Sequence, residues 1–180
     1  MRYLLIALLL ALTGCVGVPD GINPIKNLDS QRYLGNWYEI ARLDHSFERG
    51  LEQVTANYSM RQDGGIKVIN RGFDTVSKQW QEAEGKAYFV GDNNFGHLKV
   101  SFFGPFYGSY IIFDLDKEYQ YSLVTGSNRS YLWLLSRTPQ LDNKLKNKLI
   151  SQLTQLGFQT EDLIFVKQLN KANVYDKSGD

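Results

Sequence analysis

Between Trp37 and Arg137 the chain alternates short β-branched and aromatic runs with turn-forming residues. This pattern constrains the fold more than any other feature of the sequence. The runs lie at about 37–44, 53–61, 66–73, 79–90, 97–103, 109–115, 119–126 and 131–137. Asp63-Gly64-Gly65 is a strong hairpin turn, because glycine tolerates positive φ. Gly91 to Asn94, Asp114 to Lys117 and Ser127 to Arg129 mark further turns. Eight successive strands with hairpin-length connections predict an all-β fold, an eight-stranded antiparallel up-and-down β-barrel. Closure removes the sheet edges, and eight strands enclose enough volume for one small ligand.

After Pro139 the apolar period changes from two residues to about 3.6. Leu141, Leu145, Leu149, Leu153 and Leu156 fall on one face, with Lys144, Lys146 and Lys148 away from it. Gly157 is placed to end this helix in the left-handed conformation. One C-terminal α-helix is therefore expected to pack its leucine stripe on the outside of the barrel. Leu163 to Val166 add a last short strand. Val16 to Leu28 holds Pro19, Gly21 and Pro24 without apolar periodicity, and reads as a tether. Residues 169–180 read as a flexible tail.

Lysine and arginine number 20 against 19 acidic residues, giving a formal net charge of +1. There is no basic field to attract nucleic acid. One cysteine excludes an intramolecular disulfide and a cysteine-rich metal cluster. His45 and His97 stand far apart in the chain, which argues against a histidine metal site. No glycine-rich nucleotide motif and no Gly-x-Ser-x-Gly elbow occurs. Asp44-His45 stands where the first loop opens at the barrel mouth; His45 reads as an exposed loop histidine, with a catalytic or ligand role as the alternative, and Glu82 with Glu84 read as solvated charges on one strand face. No catalytic residue, metal or cofactor is expected.

The N-terminus carries a different signal. Arg2 precedes a nine-residue apolar run, Leu4 to Leu12. This is shorter than the roughly 20 residues a spanning helix needs, and fits a secretory signal peptide over 1–14. Leu12-Thr13-Gly14-Cys15 resembles the bacterial lipobox. That resemblance implies a diacylglyceryl group on the Cys15 thiol, cleavage before Cys15 and acylation of the new amine. Val16, in place of the aspartate that retains lipoproteins at the inner membrane, implies the outer membrane. Removing Arg2 leaves the mature side chains formally neutral, so attachment must rest on lipid chains.

Gly35-Asn36-Trp37 opens the first strand, and Leu134 to Pro139 (LLSRTP) closes the last. These segments resemble the first and third signatures of the lipocalin family. The resemblance implies that Trp37 plugs the closed barrel end and that Arg137 stacks over it, a cation–π contact of roughly 0.5–2 kcal/mol. Asp116-Lys117-Glu118-Tyr119 resembles the middle signature with stretched spacing. WYEIARL (37–43) and VSFFGPFY (100–107) are similar to the bacterial outer-membrane lipoprotein subgroup. The likeness covers approximately 29–168, with 15–28 as acylated N-terminus and tether.

Strand alternation predicts the barrel lining. Inward parity gives Trp37, Glu39 and Ala41 on the first strand. The second offers Val54, Ala56 and Tyr58, and the third Val68, Asn70 and Gly72, with Arg71 outside. The fourth offers Ala83, Gly85, Ala87 and Phe89, the fifth Val100 and Phe102, and the sixth Tyr110 and Ile112. The eighth contributes Tyr131, Trp133 and Leu135, on the face of Arg137. Candidate ligand contacts are Ala56, Tyr58, Val68, Asn70, Ala87, Phe89, Val100, Phe102, Tyr110, Ile112, Tyr131 and Trp133. Small residues leave room and aromatic walls suit an acyl chain or flat ring. Tyrosine hydroxyls, Asn70 and Glu39 are candidates to meet a polar head group.

Phe103, Phe106 and Tyr107 read as capping one barrel end or packing on the helix. A partner patch, a homodimer face or a membrane-touching rim are the alternatives. Together these readings describe a non-enzymatic protein on the periplasmic face of the outer membrane, anchored by lipid, with a fatty acid or lysophospholipid as partner. The family resemblance implies lipid storage or transport in envelope maintenance. A lipocalin-fold enzyme acting on a lipid or isoprenoid, and an interaction module with an inert barrel, are the competing readings.

Overall fold

A computed structural model describes residues 16–169. Cys15, the signal segment and the tail beyond Leu169 lie outside the described residues. The strands are β1 (Gly35–Arg42), β2 (Leu51–Met60), β3 (Ile66–Asp74), β4 (Gln79–Phe89), β5 (His97–Ser101), β6 (Gly108–Leu115), β7 (Tyr121–Thr125) and β8 (Leu132–Ser136). A one-turn helix α1 (Ser30–Tyr33) precedes them, and α2 (Asn143–Gln155) and β9 (Ile164–Phe165) follow. Each of β1–β7 pairs antiparallel with the next, and β8 pairs antiparallel with β1, which closes the barrel.

The period-two pattern produces two cores. Inward residues such as Trp37, Ala56, Val68, Leu98 and Ile112 fill the lower barrel. Outward apolar residues, among them Ile111, Leu123, Leu132 and Leu134, meet Leu149 and Leu153 of α2. Asp142 starts α2 by accepting from the Lys144 and Leu145 backbone N–H groups, at 2.9 and 3.1 Å. Gly157, at φ +80°, ends it.

Three features depart from simple alternation. First, β1 bulges between Glu39 and Ala41, which oppose adjacent Leu135 and Leu134. Ala41, expected inward by parity, therefore packs outside with Ile40 against the helix side, and Arg42 turns into the barrel wall. Second, the segment read as a tether is fixed to the barrel. Gly17 O accepts from Ser109 Oγ at 2.8 Å, and Ile22 and Leu28 are buried. The Ile25 N–H donates to Ile112 O (2.9 Å), Gly96 N–H to Ile25 O (2.8 Å) and Leu28 N–H to Asn94 O (2.8 Å). Gly96 permits this approach: a Cβ there would stand 2.6 Å from Ile112 O and 2.7 Å from the Ile25 side chain. Pro19, Gly21 and Pro24 obscured a strap whose anchors are single, irregularly oriented apolar residues.

Third, β1 and β2 pair only over Gly35–Tyr38 and Thr55–Tyr58. Beyond that point the C-terminal segment closes the seam. β9 pairs with Ala41 and Arg42, and the Gln53 N–H donates to Lys167 O at 2.9 Å. The Gln168 amide donates to both Glu39 O and Val54 O at 2.8 Å.

Candidate functional site

The two barrel ends differ. At one end Gly35, at φ +91°, brings the chain into β1, and the fully buried Trp37 donates from Nε1 to Tyr33 O at 2.9 Å. The Arg137 guanidinium lies 3.8 Å from the Trp37 ring centre. It also donates to Arg32 O (2.7 Å), Asn36 O (2.8 Å) and Tyr119 O (3.3 Å). Those carbonyls come from the end of α1, the start of β1 and the β6–β7 turn. In that turn Asp116 accepts from the Glu118 and Gln120 backbone N–H groups, and Tyr119 Oη accepts from Asp29 N–H at 2.9 Å. One planar guanidinium thus joins the segments carrying all three motifs and seals this end.

Above Trp37 the barrel encloses a cavity of about 640 Å³, within the range of roughly 300–1,000 Å³ usual for small-molecule sites. Every candidate contact residue named from the sequence borders it. Ala56, Tyr58, Val68, Asn70, Ala87 and Phe89 come from β2–β4. Val100, Phe102, Tyr110 and Ile112 come from β5, β6 and the loop between them. Tyr131 and Trp133 complete the wall. The small residues do two jobs. The space beside Gly85 is occupied by the Phe102 ring, and that beside Gly72 by Leu51 and Val54. Ala56, Ala83 and Ala87 border open volume.

The cavity floor is a hydroxyl chain. Tyr110 Oη is 2.9 Å from both Tyr33 Oη and Tyr58 Oη, and Tyr33 Oη is 3.1 Å from Ser122 Oγ. Burial pushes the Tyr33 hydroxyl up to about 12, and raises Tyr58 and Tyr110 as well, so the chain stays neutral. These hydroxyls bond chiefly to one another. Asn70 differs: its buried Oδ1 has no protein partner, and the residue borders the cavity.

A second polar group lies in the wall nearer the mouth. Arg42 donates to Glu39 Oε1 at 2.6 Å and to the backbone oxygens of Glu48 (2.8 Å) and Leu51 (3.1 Å). Glu48 Oε2 accepts from Trp133 Nε1 at 2.9 Å. All three charged residues are buried. Burial and the neighbouring Glu48 carboxylate push the Glu39 carboxyl up to about 8 against the pull of Arg42. The sequence reading included Glu39 but missed Arg42 and Glu48. Arg42 follows the bulge, and an acidic residue in a loop carries no local sign of burial. Tyr33 was missed because α1 is too short to show a period, and Leu28 because it stands alone in the irregular segment before it.

His45 is not an exposed loop residue. It is buried, with its ring centre 4.9 Å from those of Tyr131 and Trp133 and 5.1 Å from Phe47. Burial and Arg42 push it down to about 4, so it is neutral at physiological pH. Phe103 and Phe106 border the cavity at its open end but are 81% and 68% exposed, so they do not pack on the helix. Glu82 and Glu84 are exposed, and Glu84 pairs with Lys67 at 2.9 Å. Among the described residues no cluster of three or more His, Cys, Asp and Glu is placed to hold a metal ion.

A closed eight-stranded barrel with a plugged floor, an apolar cavity and one outer helix defines a lipocalin. The lipocalin-like domain family matches residues 28–168, and the chain belongs to that family. It is 56% identical over 158 residues to the outer membrane lipoprotein Blc of Vibrio cholerae, covering 87% of this chain and 92% of that one. It is 53% identical over 150 residues to the protein of that name from Escherichia coli K12, covering 83% and 85%. With such relatives, this chain is an outer-membrane lipocalin. The barrel also superposes on insecticyanin from the tobacco hornworm with a TM-score of 0.67 at 17% identity, covering 87% and 88%, a likeness of fold.

Proposed function

We propose that the protein holds a fatty acid or lysophospholipid in its barrel, as a lipid store or carrier in envelope maintenance. The observation that carries this reading is the cavity, about 640 Å³, apolar-walled and open at the end opposite Trp37. An acyl chain would lie along Val68, Ala87, Val100 and Ile112, and gains about 25 cal/mol per Å² of apolar surface buried before ordering costs. A head group would lie near the mouth, by Glu39, Glu48 and Trp133. Acylation of Cys15 would hold the protein on the periplasmic face of the outer membrane. Binding rather than turnover suits a wall whose buried carboxyls are engaged by Arg42 and Trp133. The size of the cavity speaks against an inert barrel.

The test is lipid extraction and mass spectrometry of the mature protein purified from membranes. One fatty acid or lysophospholipid per chain, and an N-terminal peptide carrying a diacylglyceryl-Cys15, are expected. An empty protein that also fails to take up added fatty acid would overturn the ligand reading. An unmodified Cys15 would overturn the anchor. Conversion of the extracted lipid on incubation would favour the enzyme reading instead.

A further inference from the structure

Most of the buried polar groups around the cavity are engaged within the protein. The Tyr33, Tyr58 and Tyr110 hydroxyls bond to one another, Glu39 accepts from Arg42, and Glu48 accepts from Trp133. Two buried polar atoms without a protein partner belong to residues that border the cavity, Ser101 Oγ and Asn70 Oδ1. Ser101 pairs with Lys86, and alternation turns both out of the barrel, since their neighbours Val100 and Ala87 belong to the inner core. Asn70 shares the inward face of β3 with Val68. Among the described residues its side-chain nitrogen has no partner either, so the whole amide is unpaired. An orphaned buried amide is costly, and native proteins keep few of them.

The surroundings of this amide are apolar and open. Ala56 of β2 and Ala83 of β4 stand directly opposite Asn70 in the two ladders. Directly opposed side chains lie side by side on one face. A methyl group on each flank leaves the amide uncovered, and all three residues border the cavity. Along β3 the next inward positions are Val68 and Gly72, and the space over Gly72 is filled by Leu51 and Val54. The polar group formed by Glu39, Arg42, Glu48 and Trp133 belongs to β1, the β1–β2 loop and β8, and no hydrogen bond joins it to Asn70. The cavity therefore has two separate polar poles, one of them unpaired.

We infer that Asn70 is a specificity-determining residue that reads a hydroxyl group on the ligand's acyl chain, so that the preferred ligand is a hydroxylated acyl lipid. The inference rests on the acyl-ligand reading proposed above. With the head group at Glu39 and Glu48, the chain runs along the wall that carries Val68 and Asn70. An unsubstituted chain excludes water from the amide and offers it nothing. A hydroxyl both donates and accepts, so it answers whichever end of the amide rotation about Cβ–Cγ turns toward the cavity. A carboxylate, an ester or a ketone only accepts. A site built to hydrogen-bond a hydroxyl rejects the analogue without it far more strongly than an apolar pocket rejects a chain of different length. Ala56 and Ala83 belong to the same device, because a larger side chain at either position covers the amide.

The test uses delipidated mature protein carrying a fluorescent fatty acid. Competitors are stearic acid and hydroxystearic acids with the hydroxyl beside the carboxyl group, at mid-chain or at the methyl end. One positional isomer should bind at least about fivefold more tightly than stearic acid. In Asn70→Leu that preference should vanish, with stearic acid bound at least as tightly as by the wild type. The Tm of ligand-free Asn70→Leu should equal or exceed that of the wild type, because an apolar side chain replaces an unpaired amide, whereas loss of a structural amide would lower it. Ala83→Leu, on the exposed part of β4, should shrink the same preference by covering the amide, and an unchanged ratio there counts against the inference. Equal binding of stearic acid and every isomer by the wild type would overturn the hydroxyl reading and leave the acyl ligand standing. An equal gain for all isomers, or a preference that survives in Asn70→Leu, would also overturn it, because neither comes from one fixed amide. Failure to bind any of these acids would remove the acyl ligand and the hydroxyl reading together.

Discussion

Glu39 and Glu48 are buried beside a single guanidinium, that of Arg42, so the wall holds one more carboxyl than cation. In the folded protein Glu39 keeps its proton up to about pH 8, against an ordinary value of 4.5. The folded state binds that proton more tightly than the unfolded chain. Its contribution to stability is therefore full below about pH 4.5 and is lost as pH rises to about 8. Glu39→Gln keeps an acceptor for Arg42 without the titration. Thermal melts across that window should show the wild type losing Tm relative to Glu39→Gln as pH rises, and parallel curves would contradict the assignment. His45 works oppositely: its contribution is present above about 6.5 and lost as pH falls to about 4, equally in both proteins. Arg137→Ala removes a ring contact and strands three carbonyls, and should cost about 2–4 kcal/mol in chemical denaturation. Arg137→Lys should recover less than half, because an ammonium lacks the planar fork that serves all three oxygens.

At the scale of elements, the eight strands and α2 were legible because each leaves a local signature: alternation, turn residues, a 3.6-residue stripe and a terminating glycine. Alternation also placed the cavity lining, since a strand fixed at one residue fixes its neighbours by parity. Parity failed at Ala41, where one extra residue reverses the faces and no residue type announces the bulge. The strap and the seam were illegible for a related reason. Ile25, Leu28 and Gln168 act singly, each through hydrogen-bond partners more than 60 positions away in the chain, and no periodic pattern can encode that. The strap yields its own test. Gly96→Ala places a methyl against Ile112 O and Ile25, so it should cost about 1–3 kcal/mol and raise amide exchange at Ile25 and Leu28. Unchanged exchange there would mean that the strap does not depend on this contact.

As a whole, the molecule is a barrel plugged by Trp37 and Arg137, braced outside by α2 and the strap, and hollow toward its mouth. The plug and braces supply stability where no disulfide can, which leaves the upper barrel free of core side chains. The central claim is that this hollow takes an acyl ligand. Ala83 borders the cavity near the mouth and is exposed, so Ala83→Trp blocks volume without overpacking the core. The most direct measurement is a titration of a fluorescent fatty acid into delipidated mature protein, wild type beside Ala83→Trp. The account predicts saturation at about one ligand per chain for the wild type, and binding at least about tenfold weaker for Ala83→Trp at similar Tm. Equal affinity in the two proteins, or no saturable binding to the wild type, would contradict it.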